Sequence, residues 1–97
     1  MIVVVAVLKA QTGKETEMEE ALRAMIPKVR DEEGTIAYIL HRAQGDPCKF
    51  LFYEKYKDQA AFDYHGSTPH IQELFGKIGS LLAAEPNIDM YEELAAK

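Results

Sequence analysis

Cysteine is nearly absent from this chain of 97 residues: the single Cys48 stands in "GDPCK". One thiol cannot close an internal disulfide, and without a second it offers neither a redox pair nor a thiolate metal site. Nothing near it in sequence would depress its pKa, so it is not expected to be a nucleophile. The reducing cytoplasm is the expected compartment. Positive charge is also short, with 11 Lys and Arg against 16 Asp and Glu and a formal net charge of −5. Nucleic acid and anionic membranes are recognised by clustered Lys and Arg, so neither is expected as a partner. Long hydrophobic runs are missing as well. The opening "MIVVVAVLKAQ" has seven apolar residues after Met1 and no basic flank, too short to span a bilayer and unlike a signal peptide.

What is present is an ordinary globular composition, 47% apolar and 28% charged, enough for one domain over residues 1–97. Residues 2–9 are β-branched and apolar on both alternating sets, which predicts a strand covered on both faces. Thr12 and Glu15 have capping-box spacing, and Met18, Ala21, Leu22, Met25, Ile26 and Val29 recur at helical spacing, predicting a helix from Gly13 to Glu32 kinked at Pro27. "TIAYILHR" and "KFLFYEKY" alternate as strands around the turn "AQGDP" and predict a hairpin. Asp58 is placed to cap a short helix running to His65 and stopped by Gly66; Thr68-Pro69 opens another, with Ile71, Leu74, Phe75, Ile78, Leu81 and Leu82 on one stripe. Pro86-Asn87 closes it, and "IDMYEEL" alternates as a fourth strand. The order strand, helix, strand, strand, helix, strand is the split βαβ arrangement of a ferredoxin-like α+β sandwich, a four-stranded antiparallel sheet with helices on one face. The other sheet face would stay apolar and uncovered, so a homodimer joined through the sheets is expected.

Chemistry-bearing residues gather in "YHGSTPH". His65 follows Phe62 and Ala61 by three and four residues and should share their sheet-facing side, either as a satisfied core histidine or as a pocket residue. His70 sits at the second position of the next helix, at the pocket edge, where the helix dipole opposes its protonation. The spacing of the two histidines across a helix break fits no same-face metal pair. Glu54 continues the Phe50/Phe52 face of an inner strand and needs a partner there, either His65, solvent or Arg42 across the hairpin. The strand tyrosines, Tyr38 and Tyr56 among them, are packing residues of which one or two line a cavity. The acidic sets "KETEMEE" and "RDEEG" read as solvated faces without function. "TGKET" lacks a phosphate-loop pattern, and Ser67 has no nucleophile elbow.

The run "FLFYEKYKDQAAFDYHGSTPHI", with Glu54, Asp58, Ala60-Ala61, His65, Thr68 and His70, resembles the antibiotic biosynthesis monooxygenase family. "VVAVLKAQTGKETEMEEAL" is similar to that family's first strand and helix start. The resemblance implies a dimeric α+β barrel with a cavity between helices and sheet in each subunit. Some members oxidise phenols or quinols with O2 and without flavin, metal or haem; others isomerise a phosphosugar-like signal or degrade haem. By position, His65 and Glu54 match the family's recurring His and Glu and are the catalytic candidates, Glu54 orienting His65. His70, Tyr38, Phe62, Phe75 and Tyr56 are the candidates for holding substrate. Haem-degrading members carry Trp at the place of His65 and a haem-ligating His near Phe75; this chain has neither, and no Trp at all. The resemblance therefore implies a cofactor-independent monooxygenase of a small aromatic diol or hydroquinone. The alternatives are an isomerase of a small phosphosugar-like metabolite and a non-catalytic dimeric ligand-binding or stress-associated module.

Overall fold

The computed structural model describes residues 1–97, in which eight elements alternate as the sequence pattern predicts, with one helix divided. They are β1 (Ile2–Lys9), α1 (Glu15–Arg23), α2 (Met25–Val29), β2 (Thr35–Arg42), β3 (Lys49–Tyr56), α3 (Gln59–Ser67), α4 (Pro69–Ile78) and β4 (Asn87–Glu92). The sheet order is β2-β3-β1-β4 with every neighbouring pair antiparallel. This is the ferredoxin-like order, and β1 and β3 occupy the centre.

Register decides which residues face the helices. Val4, Ala6 and Leu8 of β1 lie beside Glu54, Phe52 and Phe50 of β3, and Tyr38, Leu40 and Arg42 of β2 lie on that same side. Against it pack Met18, Ala21, Leu22, Met25, Val29, Leu74 and Ile78 from the helices, giving one continuous core. The period-2 and period-3.6 patterns thus meet at one interface. The opposite side carries Val5, Val7, Leu51, Tyr53, Ile39 and Tyr91, which no helix of the chain covers. β4 is exposed along its whole length, with Ile88 and Met90 on the helix side of its pairing with β1.

Four local expectations are corrected. The first helix is not one kinked rod to Glu32; it divides at Ala24. Pro27 is the third residue of α2, inside a first turn, where its missing N–H leaves no hydrogen bond broken within α2. Thr12 does not cap α1; Lys14 occupies the cap without a side-chain bond, and Gly13, at φ 91°, makes the turn. Gly66 does not stop α3, which runs through Ser67. The stop is Thr68, held extended at ψ 148° because the following Pro69 excludes the helical conformation. Thr68 does stand at the N-cap of α4 with Pro69 at its first position, as the sequence predicts, but its hydroxyl donates to the His65 carbonyl at 2.8 Å and so satisfies the end of α3. Asp58 does cap α3, accepting from the Ala61 N–H at 2.9 Å. The last helix ends at Ile78 rather than near Leu82, and the Leu81 and Leu82 backbone turns back to meet Ala10 and Gln11. No helix is long and apolar enough to cross a membrane.

Candidate functional site

Three segments carry the site between helices and sheet. β3 presents Glu54 and Tyr56 two residues apart on its inner side. β2 places Tyr38 opposite Glu54. α3, fixed by its Asp58 cap and by the close approach of Ala61 to Gly34, delivers His65 from its last turn. The imidazole is 4% exposed and sits between two phenol rings, Tyr38 and Tyr56, each with its centroid 5.4 Å away.

The carboxylate that holds His65 is Glu32. The residue is buried at 6% exposure, and His65 Nδ1–H donates to its Oε1 at 2.9 Å. The second oxygen, Oε2, lies 2.7 Å from His70 Nε2, and the Thr35 hydroxyl approaches Oε1 at 3.4 Å. The bond to Nδ1 fixes the ring's orientation and favours the tautomer whose Nε2 is an open acceptor. Burial nevertheless dominates, holding the His65 pKa below the ordinary imidazole value against the raising influence of Glu32. The balance biases His65 toward the neutral imidazole.

Glu54 does not pair with His65 or with Arg42, as the strand pattern suggests; it accepts from the Tyr56 hydroxyl, and Arg42 is held by Glu19. The reason lies in the pleat, which sets residues two apart on one strand side by side. Burial raises the Glu54 carboxyl to about 7, the Tyr56 bond opposes this, and the negative charge of Glu32 adds to it. Both phenols are pushed up as well, chiefly by burial and then by Glu54. They stay protonated donors.

Against this cluster lies a cavity of about 110 Å³, walled by Val4, Ala6, Leu8, Phe52, Ile71 and Leu74, with Tyr38, Phe62, Phe75, Glu54 and His65 also on its surface. Pro86 and Ile88 close it from the β4 side. No buried side-chain nitrogen or oxygen lacks a partner, yet His65 Nε2, the Tyr38 hydroxyl and Glu54 Oε2 have none within the protein. Those three atoms are therefore open to a small molecule or water. Of the residues expected to hold substrate, Tyr38, Phe62 and Phe75 reach the cavity. Tyr56 is fully buried behind it, and His70 lies off it, on Glu32. Arg42 with Glu19 and Arg23 lines a separate, shallower groove of about 350 Å³ that shares only Tyr38 with the cavity.

Glu32 escaped the sequence reading as part of the acidic set "RDEEG". One signal pointed to it: it falls three residues after Val29 and extends the apolar stripe of the preceding helices.

The chain is 34% identical over 84 residues to the candidate monooxygenase YcnE of Bacillus subtilis, covering 87% of this chain and 88% of that one. It is 33% identical over 91 residues to the uncharacterised protein sll1783 of Synechocystis, covering 94% of this chain but 62% of that longer protein. A solved structure from Nitrosomonas europaea superposes with a TM-score of 0.94 at 23% identity, covering 98% of this chain and all 100% of that one, which establishes the ferredoxin-like fold. The family model described as "Antibiotic biosynthesis monooxygenase" matches residues 1–77, and the chain belongs to that family.

Proposed function

We propose that this protein is a cofactor-independent monooxygenase that oxidises a small single-ring aromatic diol or hydroquinone with O2. The observation that carries the reading is a buried imidazole with one nitrogen fixed on Glu32 and the other open to an apolar cavity. Family membership and the name of the Bacillus relative support monooxygenase chemistry in general. The cavity narrows the substrate. About 110 Å³ is below the ~150 Å³ that accommodates benzene in an engineered protein core, so fused-ring substrates are excluded and a single-ring diol enters only with outward movement of the cavity wall.

In this reading His65 Nε2 removes a phenolic proton, and Glu32 stabilises the imidazolium through Nδ1–H. Glu54, its carboxyl raised by burial to about 7, hydrogen-bonds the second hydroxyl, a role in binding rather than in orienting His65. The electron-rich phenolate passes one electron to O2, the radical pair joins to form a ring hydroperoxide, and loss of water leaves a carbonyl. One oxygen atom enters the product and the other leaves as water. Apolar walls exclude bulk water from these steps. A homodimer through the uncovered sheet face, with its Val, Leu, Ile and Tyr side chains, completes the proposal.

Neither alternative has comparable support. A phosphosugar-like substrate wants cationic side chains, and the cavity holds no Lys or Arg; Arg42 is on Glu19 and Lys55 on Glu93. A non-catalytic module predicts apolar filling around His65, where there is open volume instead. The test is oxygen uptake by purified protein with a panel of hydroquinones and no added metal or flavin. His65→Ala is expected to slow uptake by about 10²-fold or more. Uptake no faster than autoxidation refutes the proposal.

A further inference from the structure

Two imidazoles meet at one buried carboxylate. His65 Nδ1 addresses Glu32 Oε1 at 2.9 Å and His70 Nε2 addresses Oε2 at 2.7 Å. They differ in what stands behind them. His65 borders the cavity, whereas His70 opens α4 on the outer side, in a surface depression shared with Lys28, Glu73 and Lys77.

A carboxylate has one unit of negative charge to divide between its neighbours. A protonated His70 neutralises Glu32 and leaves little of its field for His65. A neutral His70 leaves the whole charge to stabilise an imidazolium at His65. The low-dielectric setting makes this exchange larger than it would be in water. We propose that His70 is a positioning residue that sets the proton affinity of His65 through their shared carboxylate, so that the solvent side of the domain tunes the base on the cavity side.

The surroundings are compatible with that role. Facing the trio from the sheet are Glu54, Tyr38 and Tyr56, and the Thr35 hydroxyl. Around His70, Lys28 and Lys77 are offset in part by Glu73, so no single-sign cluster overrides the imidazole's own charge. The influences on His65 have the required signs: burial lowers its pKa, Glu32 raises it, and His70 lowers it. The proposal rests on the reading of His65 as the base only for its consequence in turnover; the coupling belongs to the trio itself.

The test follows the ring nitrogens of His65 by NMR through a pH titration of wild-type protein and of His70→Gln. Glutamine keeps an N–H donor for Glu32 Oε2 and never carries charge. The His65 midpoint is expected to rise by about half a unit to one unit in His70→Gln. In wild type the His65 signal is expected to show two inflections, which collapse to one in the variant. An unmoved midpoint in a natively folded variant overturns the proposal. So does a wild-type His65 signal with a single inflection, a measurement that needs no variant. Neither readout requires substrate, so failure of oxygen uptake leaves this proposal standing, and an insensitive His65 refutes it whatever the activity. If turnover is observed, the acid limb of the kcat/KM profile is expected to move upward by the same amount in His70→Gln.

Discussion

Glu54→Gln is expected to make the protein more stable at alkaline pH and to flatten its response to pH. The carboxyl is 6% exposed, its one protein partner is the Tyr56 hydroxyl, and its pKa is raised from 4.5 to about 7. A carboxyl raised by folding binds its proton more tightly in the native state. Its contribution is therefore most favourable below the unfolded value and is lost as pH rises through the folded one. A shift of that size corresponds to about 3 kcal/mol once both states are ionised, at ~1.4 kcal/mol per unit. About 2 kcal/mol of the loss falls between about pH 5.5 and about pH 8. Glutamine is close in shape, its carbonyl can still accept from Tyr56, and it has no charge to bury. Urea unfolding of wild type and Glu54→Gln across this window isolates the carboxyl, because the other titrations are common to both. The stability difference should grow in favour of the variant by about 2 kcal/mol from the acid to the alkaline end. A difference that stays constant with pH refutes the assignment of a buried, proton-holding Glu54. His65 acts in the opposite direction: held below its ordinary value, it stabilises above the unfolded histidine pKa and loses that contribution as pH falls.

Gly34→Ala is expected to destabilise by about 1–3 kcal/mol, since a Cβ there would lie 2.4 Å from the Ala61 Cβ. Adding Ala61→Gly should recover stability despite the ~1 kcal/mol cost of glycine within a helix; a double variant no better than the sum of the singles in denaturant unfolding contradicts the contact. Asp58→Ala removes the bond to the Ala61 N–H and is expected to cost about 1 kcal/mol in the same assay. An unchanged midpoint would show that the start of α3 is held by packing alone.

The strands and the stripes of the helices were legible because alternation and helical periodicity are local, and the core is where those periods coincide. The candidacy of His65 as a site residue came from the family resemblance; its burial on the sheet side was legible for the same reason as the strands, through its spacing from Phe62. Its partner was not. Glu32 and His65 are 33 residues apart, and their bond depends on how α3 packs against the chain between α2 and β2, which no local pattern encodes. Glu54 shows the converse: its need for a partner followed from strand position, yet the partner lay two residues ahead on the same strand, the nearest candidate of all. At Thr68 two rules competed. Gly66 suggested a stop, but it tolerates helix, and the restriction that Pro69 imposes on Thr68 determined the boundary.

The pairing of β1 with β4 brings together Val7 and Asn87, segments from opposite ends of the fold. Closing so long a loop costs chain entropy that rises only with the logarithm of its length, and β4, whose only strand neighbour is β1, has no nearer partner with which to share that cost. The cavity therefore combines parts of two kinds: a Glu32–His65 pair spanning a modest loop, and a rim at Pro86 and Ile88 that exists only when the two ends of the fold have met.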